Sequence, residues 1–198
     1  MSQPTPRIAF QGLAGAYSGL AAETLYPACD KLHCATFAEA LQEVDAGNAD
    51  RAVIPVTNEI AGPVTNALPP LRAGGYKVEK SLWLPVHHCL LGLPAAKLED
   101  IRTVYSHWQA LDQCRKNIAK YNFKSVEAGD TAGAAKQIAA AGDVSKAALA
   151  SAAAAQEYGL QILLEQFQDR ASNQTLFLAV GLGCGGDAIE DVLKEYQL

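Results

Sequence analysis

The sequence predicts an α/β protein of two small lobes, each built on a mostly parallel sheet. Short apolar runs of strand type alternate with segments of helical spacing along the whole chain. Such alternation is typical of parallel strands joined by helical crossovers. The elements also fall into two stretches of roughly eighty to a hundred residues each, a usual size for a small domain. At 198 residues and 49% hydrophobic content, the chain is long enough for two such lobes.

The first half of the chain begins with a strand and a glycine turn. The apolar run 7–10 predicts a buried strand that ends in Gln11-Gly12. Ser18 has the position of an N-cap for the helix that follows. The remaining elements predicted here are a helix at 37–44, a strand at 51–56 ended by Pro55, a helix at 64–71, a strand at 78–84 and an apolar run at 88–93.

The second half repeats this alternation. Ser106 is predicted to cap a helix that continues to Ile118, and either Asp130 or Thr131 is predicted to cap the next helix. Gly159 is expected at the C-terminal end of a helix. The elements of this half are strands at 103–105, 124–126, 147–150 and 176–180, with helices at 106–118, 131–138, 152–158 and 187–196.

Composition and charge argue against several classes of function. A net charge of −5, with no basic run, argues against a nucleic-acid partner. The apolar stretches are too short to span a membrane and the start of the chain has no secretory signal, so we expect a cytoplasmic protein. Five scattered cysteines predict reduced thiols, and no residue spacing indicates a metal site.

Polar clusters directly after predicted strands are the candidate ligand sites, because ligands of such sheets bind beyond the carboxyl ends of strands. These clusters lie at 11–18, 57–62, 106–109 and Thr131. Asn173-Gln174-Thr175 instead enters the last strand, which suits a segment crossing between lobes. Ordinary turns and helix caps explain the clusters at least as well, so spacing alone identifies no reaction. His87 and His88 are expected to point to opposite faces of a strand.

Seven segments together carry a family resemblance. In chain order they are GLAGAYS at 12–18, AVIPVTNEIAG at 52–62, LPVHHCL at 84–90, YSHWQALDQC at 105–114, DTAGAA at 130–135, ASAAAAQEYGL at 150–160 and NQTLF at 173–177. They resemble the catalytic region of the prephenate dehydratase family, which includes the arogenate dehydratases. The match runs from about Arg7 to Val180, nearly the whole chain.

The resemblance implies two α/β lobes, like those of periplasmic binding proteins, with the active site in the cleft between them. It implies a cofactor-free reaction on a small dicarboxylate: prephenate loses its ring hydroxyl and carbon dioxide to give phenylpyruvate, and arogenate likewise gives phenylalanine. Thr175 would assist the departing hydroxyl through its placement rather than its acidity. The residues implied to line the substrate site are Ser18, Thr57, Asn58, Ser106, Gln109, Thr131 and Phe177.

Several residues in these motifs depart from the family pattern, and one of them is Thr57 in place of a glutamate. Leu176 replaces an arginine that would be expected to bind a substrate carboxylate, and losing such a pair typically costs about 2–5 kcal/mol at a buried site. Glu59 replaces a serine and adds a negative charge that would repel a dianion. Trp108 replaces a proline and could narrow the cleft. These changes predict reduced or altered activity.

The resemblance also implies how the chain is organised and assembled. Residues 1–78 with 178–198 are expected to form one lobe, and residues 79–177 the other. Family members usually form dimers or larger assemblies, so a homodimer or homotetramer is expected. The C-terminal phenylalanine-sensing ACT domain of the family is expected to be absent from a chain that ends at Leu198.

Two other hypotheses remain open beside a dehydratase of the prephenate or arogenate class. The altered Thr-Arg-Phe motif also fits an enzyme that decarboxylates prephenate but keeps the ring hydroxyl, although the retained Thr175 argues mildly against it. A non-catalytic protein that binds carboxylic acids on the same scaffold is the third hypothesis.

Overall fold

The computed structural model describes residues 5–183 and 185–198, so Cys184 and the first four residues of the chain lie outside the described residues. In chain order the elements are β1 (Arg7–Gln11), α1 (Tyr17–Leu25), β2 (Asp30–Cys34), α2 (Phe37–Asp45), β3 (Arg51–Asn58), β4 (Gly62–Pro63), α3 (Leu68–Ala73), β5 (Lys77–Pro85), β6 (Cys89–Gly92), β7 (Thr103–Ser106), α4 (Trp108–Gln113), α5 (Arg115–Lys120), β8 (Lys124–Glu127), α6 (Thr131–Ala141), β9 (Lys146–Ala150), α7 (Ala152–Tyr158), β10 (Gln161–Leu164), β11 (Gln174–Gly181), β12 (Asp187–Ala188) and α8 (Ile189–Glu195).

These elements form two compact units. Unit 1 contains the described residues up to Gly12, Ser18–Pro85, and the described part of Gln174–Leu198. Unit 2 contains Leu13–Tyr17 and Val86–Asn173. The chain therefore passes between units at 12–13, 17–18, 85–86 and 173–174, whereas crossings at 78–79 and 177–178 were expected. The reason is that β5 and β11 pair along their whole length, which keeps both strands in unit 1.

The sheet of unit 1 has the strand order β12–β5–β11–β3–β1–β2, with β4 beside β3. β1 runs parallel to β2 and β3, whereas β11 runs antiparallel to both β3 and β5. The α/β class is confirmed, but parallel pairing in this sheet is limited to its β3–β1–β2 side. β11 has the opposite direction because it enters from the far side of the sheet, as expected for a strand that follows a crossing between units.

The sheet of unit 2 has the order β10–β6–β9–β7–β8. β7 runs parallel to β8 and β9, and β6 runs antiparallel to β9 and β10. The helices α4, α6 and α7 follow β7, β8 and β9 directly, so all three begin at the same edge of the sheet. That edge is where ligands of parallel sheets bind.

Helix ends agree only partly with the predicted caps. Asp130 caps α6, because its Oδ1 accepts a hydrogen bond from the backbone N–H of Gly133 at 2.7 Å. Gly159 follows α7 in the left-handed conformation, at φ 64°, as predicted. Ser18 and Ser106 are not caps. Ser18 lies within the first turn of α1, and His107 is the residue that precedes α4 and caps it.

Several element boundaries were wrong. β3 continues through Pro55 to Asn58, because the proline lies beside a bulge where β11 shifts its register and the missing N–H is tolerated. The helix expected at 64–71 begins at Leu68, and the long helix expected after Ser106 is interrupted at Cys114. The short strands missed from the sequence are β2, β4, β10 and β12.

β11 has two different faces. Leu176, Leu178 and Val180 point into the main hydrophobic core of unit 1, where all three are fully buried. The same core includes residues of β3 and of the helices α2, α3 and α8. Thr175 and Phe177 alternate with these residues and point to the opposite face. Strand alternation thus decides which side chains of the NQTLF segment belong to the core.

Replacing Leu176 tests this assignment. We expect Leu176→Ala to lower the free energy of unfolding by about 2–5 kcal/mol, because it leaves a cavity in a packed core. Leu176→Met should cost less than about 1.5 kcal/mol, since it conserves volume. Urea unfolding measures both changes. Leu182, a half-exposed leucine, gives the control, and its change to alanine should cost within about 0.5 kcal/mol. Equal losses at the two positions would contradict a core role for Leu176.

Candidate functional site

Asn58 and Thr175 form the centre of the candidate site in unit 1. The two residues are register partners at the ends of β3 and β11. The Asn58 side chain Nδ2 donates to Thr175 Oγ1 at 2.9 Å and to the carbonyl oxygen of Gln174 at 3.0 Å. Thr175 is 9% exposed, so this contact is largely shielded from water. Because its oxygen accepts from Asn58, the Thr175 hydroxyl proton is directed elsewhere.

The orientation of the Asn58 amide follows from its other partners. Its Oδ1 accepts from the backbone N–H groups of Ile60 and Ala61, at 3.0 and 2.9 Å. Backbone N–H groups can only donate and the carbonyl oxygen of Gln174 can only accept, so the amide cannot be reversed. Asn58 therefore both closes the turn after β3 and acts as a donor to Thr175.

Two more of the predicted site residues lie on the same face of this sheet as Thr175. Phe177 follows two positions later on β11 and is almost fully buried. Ser18 lies at the start of α1, a helix that contacts this face through Gly19 and the ring of Phe10. Ser18 is buried, with 8% of its surface exposed.

Thr57 lies on the other side of the sheet. Its register partner on β11 is Leu176, so the two side chains leave the same, core-facing side. The structure therefore does not bring Thr57 to the face that carries Asn58 and Thr175. The strand register that decides this could not be obtained from the sequence.

The departures at Leu176 and Glu59 have different environments. Leu176 is fully buried in the apolar core of unit 1. The side chain of an arginine at this position would leave β11 on the face that packs into the core. Glu59, in contrast, is exposed in the turn after Asn58, and its backbone N–H donates to the carbonyl oxygen of Gln174 at 2.9 Å. Leu176 is thus a core residue here, and Glu59 is an accessible charge beside the Asn58–Thr175 pair.

The remaining predicted residues lie in unit 2, at the edge where its helices begin. Ser106 ends β7 and is fully buried, with its hydroxyl donating to the carbonyl oxygen of Leu149 at 2.6 Å. Gln109 lies in the first turn of α4, and its backbone N–H is capped by His107 Nδ1. Thr131 begins α6. Gln109 and Thr131 are partly exposed, whereas the Ser106 hydroxyl is occupied within the unit.

A buried polar network in unit 2 was not predicted. His88 is buried and His87 exposed, as expected, but both lie between β5 and β6 rather than on a strand. The phenol of Tyr17 donates to the carbonyl oxygen of His87 at 2.6 Å and lies 3.4 Å from His88 Nδ1. The other ring nitrogen of His88, Nε2, lies 2.9 Å from Oε1 of Gln113. Since an amide oxygen accepts, the neutral His88 ring carries its proton on Nε2.

The same oxygen of Gln113 joins the network to the crossing segment. The side chain of Asn173 donates to Gln113 Oε1 at 3.0 Å, and its carbonyl oxygen accepts from the backbone N–H of Val86 at 2.8 Å. Asn173 is 1% exposed, so these hydrogen bonds are shielded from water. Two features of the sequence could have indicated this network. They are His88, which precedes the apolar run 89–93, and Gln113 near the end of the YSHWQALDQC segment.

Burial shifts the protonation equilibria of this network. Desolvation lowers the pKa of His88, opposed by its hydrogen bond to Gln113 and reinforced by His87. Desolvation also raises the pKa of Tyr17 far above its usual value, so the phenol remains a donor. The thiols of Cys89 and Cys114 have pKa values raised by burial and stay protonated at neutral pH. All four described cysteines are free thiols, as predicted.

The loop Leu13–Tyr17 is bound through its backbone to the rest of unit 2. The hydroxyl of Ser151 donates to the carbonyl oxygen of Gly15 at 2.6 Å, and that of Tyr158 to the carbonyl oxygen of Ala14 at 2.9 Å. Gly15 has φ +83°, and a Cβ atom there would lie 2.6 Å from Cα of Ala154. The close approach of loop and helix therefore requires glycine.

The described residues contain no group of three or more histidine, cysteine or acidic side chains arranged to hold a metal ion. They also contain no helix with the length and apolar character needed to cross a lipid bilayer. The candidate residues of unit 1 and of unit 2 offer hydroxyls, amides and backbone N–H groups. These are suited to binding carboxylates and to placing a proton.

Comparison with known proteins gives a consistent result. A family model described as prephenate dehydratase matches residues 8–183. Arogenate dehydratase 1 of Petunia hybrida is 45% identical over 180 residues, and arogenate dehydratase/prephenate dehydratase 1, a chloroplastic protein of Arabidopsis thaliana, is 41% identical over 172 residues. These matches cover 90% and 87% of the chain but only 42% and 44% of the relatives, so the chain spans less than half their length.

Two solved structures are similar over most of the chain. Prephenate dehydratase from Arthrobacter aurescens, in complex with L-Phe, has a TM-score of 0.84 and 26% identity, covering 91% of this chain and 62% of that one. GqqA, described as a novel type of quorum quenching acylase, has a TM-score of 0.82 and 36% identity, covering 88% of this chain and 63% of that one.

The low pKa of His88 makes a prediction for stability. The unfolded chain binds a proton on this histidine below its ordinary pKa of about 6.5, while the folded chain resists protonation. The stability that depends on neutral His88 is therefore present above that pH and is lost as pH falls. We expect the unfolding free energy to decline less steeply between about pH 7.5 and 5.5 in His88→Asn than in the wild type.

Urea unfolding at several pH values measures this difference in slope. The matched control is Ile138→Val, which alters buried packing in unit 2 without removing a titratable group and should keep the wild-type slope. Comparing slopes, rather than absolute stabilities, separates proton binding from any packing loss caused by either substitution. Identical slopes in the wild type and His88→Asn would contradict the assignment of a neutral, buried His88.

Proposed function

Since the chain belongs to the prephenate dehydratase family, we propose that it catalyses the loss of water and carbon dioxide from prephenate or arogenate. The products would be phenylpyruvate and phenylalanine, respectively. The enzyme would be a carbon–oxygen lyase that needs no cofactor. The observation that carries this proposal is the hydrogen bond from Asn58 Nδ2 to Thr175 Oγ1 in unit 1.

The Asn58–Thr175 pair suits assistance to a departing hydroxyl. A threonine hydroxyl has one proton to donate, and here its oxygen is already engaged as an acceptor, so that proton is available to a substrate oxygen. Donation by Asn58 also stabilises negative charge that develops on Oγ1 as the proton leaves. With Thr175 only 9% exposed, such interactions are stronger than they would be in water.

The proposed reaction is balanced without any external reductant or oxidant. The ring carbon–oxygen bond breaks and the hydroxyl leaves as water after accepting the Thr175 proton. The bond between the ring and its carboxylate breaks, carbon dioxide leaves, and that electron pair completes the aromatic ring. Solvent then returns a proton to Thr175. Aromatisation supplies the driving force, so the enzyme needs to position groups rather than to provide strong acid.

We assign the substrate-binding role to Ser18 and Phe177 in unit 1 and to Gln109 and Thr131 in unit 2. Gln109 and Thr131 lie at the edge of the unit 2 sheet where α4 and α6 begin, which is where ligands of parallel sheets bind. Thr57 and Ser106 are weaker candidates. Thr57 faces the core side of its strand, and the Ser106 hydroxyl is bound to Leu149.

Acyl transfer, the activity given for GqqA, has less support in this chain. It would require a nucleophile activated by a neighbouring base. Among the described residues, the hydroxyl that reaches a histidine nitrogen is the phenol of Tyr17, whose pKa is raised by burial. Burial likewise raises the pKa of the Cys89 and Cys114 thiols, so these thiols are not activated.

The hypothesis of a decarboxylase that keeps the ring hydroxyl was based on the arginine that Leu176 replaces. In this chain Leu176 is part of the hydrophobic core of unit 1.

Assembly and location belong to the same proposal. We propose a homodimer or homotetramer, as the family resemblance implies, and a cytoplasmic location, as expected from the sequence. Light scattering of the purified chain should give two or four times its mass of 20.9 kDa. Cell fractionation should recover the protein with cytosolic markers. A monomer at micromolar concentration, or recovery with an organelle or membrane fraction, would contradict the respective part.

Activity measurements test the catalytic assignment. We expect Thr175→Ala to lower kcat about 10²–10³-fold with either substrate, because a donor to the developing charge is removed. Asn58→Leu should lower kcat as well, whereas Thr175→Ser should retain more activity than Thr175→Ala because it keeps a hydroxyl. Phenylpyruvate or phenylalanine formation is followed by absorbance and chromatography.

Thr65→Ala is the matched control, since Thr65 is exposed and lies outside the candidate site. It should keep wild-type kcat and KM. The absence of product from both prephenate and arogenate, with folded wild-type protein, would refute the proposed function. Product formation by Thr175→Ala at the wild-type rate would refute the role of Thr175.

A further inference from the structure

We propose that Glu59 is a specificity residue that makes the chain favour a substrate with an ammonium group over its keto counterpart. This inference rests on the proposed function and deepens it, because it chooses between the two substrates. The preferred substrate would be arogenate, the amino acid. Prephenate, in which a ketone replaces the ammonium group, would be the poorer substrate.

The position of Glu59 is fixed by the contacts around it. It is the residue directly after Asn58, and its backbone N–H donates to the carbonyl oxygen of Gln174, the residue before Thr175. The turn that follows is closed by the two hydrogen bonds from Ile60 and Ala61 to Asn58 Oδ1. The backbone of Glu59 is thus held beside the Asn58–Thr175 pair, and its residue is exposed to solvent.

The carboxylate of Glu59 is accessible and carries an uncompensated charge. The residue is exposed, and within the described residues no lysine, arginine or histidine forms an ion pair with it. Glu79 on β5, also in unit 1, differs from Glu59 because its carboxylate forms an ion pair with Arg51. A negative charge without a partner attracts a cationic group of a ligand and repels an additional anionic one.

The chemistry of the two substrates determines what this charge distinguishes. Both carry two carboxylates and one ring hydroxyl, and they differ only at the side chain. That side chain and the hydroxyl leave opposite ends of the ring. If the hydroxyl is at Thr175, the side chain lies about one ring length away, a separation that a flexible glutamate one residue beyond Asn58 can span. The Glu59 carboxylate would then pair with the ammonium group of arogenate. The neutral ketone of prephenate offers no positive charge for such a pair.

Kinetics with both substrates test the inference. We expect the wild type to have the higher kcat/KM for arogenate. We expect Glu59→Gln to reduce the ratio of kcat/KM for arogenate to that for prephenate by roughly two- to fivefold, the size expected for an exposed ion pair. The wild-type ratio should also fall with added salt, because exposed charges are screened. The ratio of Glu59→Gln should depend on salt much less.

Glu195→Gln is the matched control. Glu195 is an exposed glutamate at the end of α8, and its substitution changes the net charge by the same amount. It should leave both the ratio and its salt dependence unchanged. If both substrates are converted but Glu59→Gln keeps the wild-type ratio, the inference is overturned while the proposed function stands. If neither substrate is converted by the wild type, the proposed function itself has failed.

Discussion

The alternation of side chains along β11 is the constraint on which the rest of unit 1 depends. Three apolar residues on one face of this strand close the core, and the strand pairs with neighbours on both sides. The opposite face is thereby committed to Thr175 and Phe177. A shift of one residue in register would exchange the two faces and put the threonine hydroxyl in the apolar core. The hydrophobic packing of β11 therefore determines where the Thr175 hydroxyl lies.

Much of the fold could be predicted from the sequence, because apolar periodicity reflects burial. The strands β1, β7 and β9 are short apolar runs, and the caps of α6 and α7 are residues of the usual type. β2 was missed because its residues are mostly exposed and polar, so that no buried run marks it. The extension of β3 past Pro55 was missed because a bulge, which no local pattern reveals, accommodates the proline.

The candidate site was predictable only as a set of residues. Asn58 and Thr175 are separated by 117 positions, and no spacing rule joins them. The family resemblance grouped them, but the direction of their hydrogen bond depends on the turn that fixes the Asn58 amide. Thr57 shows the opposite outcome, since one position along a strand moved it to the other face. Similarly, the buried network around His88 depends on side chains from four separate segments.

The loop Leu13–Tyr17 has a consequence for how this chain can vary. The rest of unit 2 binds the loop through hydrogen bonds to the carbonyl oxygens of Ala14 and Gly15. The backbone of Gly15 also lies so close to Ala154 that a side chain at Gly15 has no room. Carbonyl oxygens are the same in every amino acid. The identities of the residues at 13, 14 and 16 are therefore weakly constrained, whereas the length of the loop and its glycine are strongly constrained. In comparisons among relatives, this loop should vary by substitution and resist insertion or deletion.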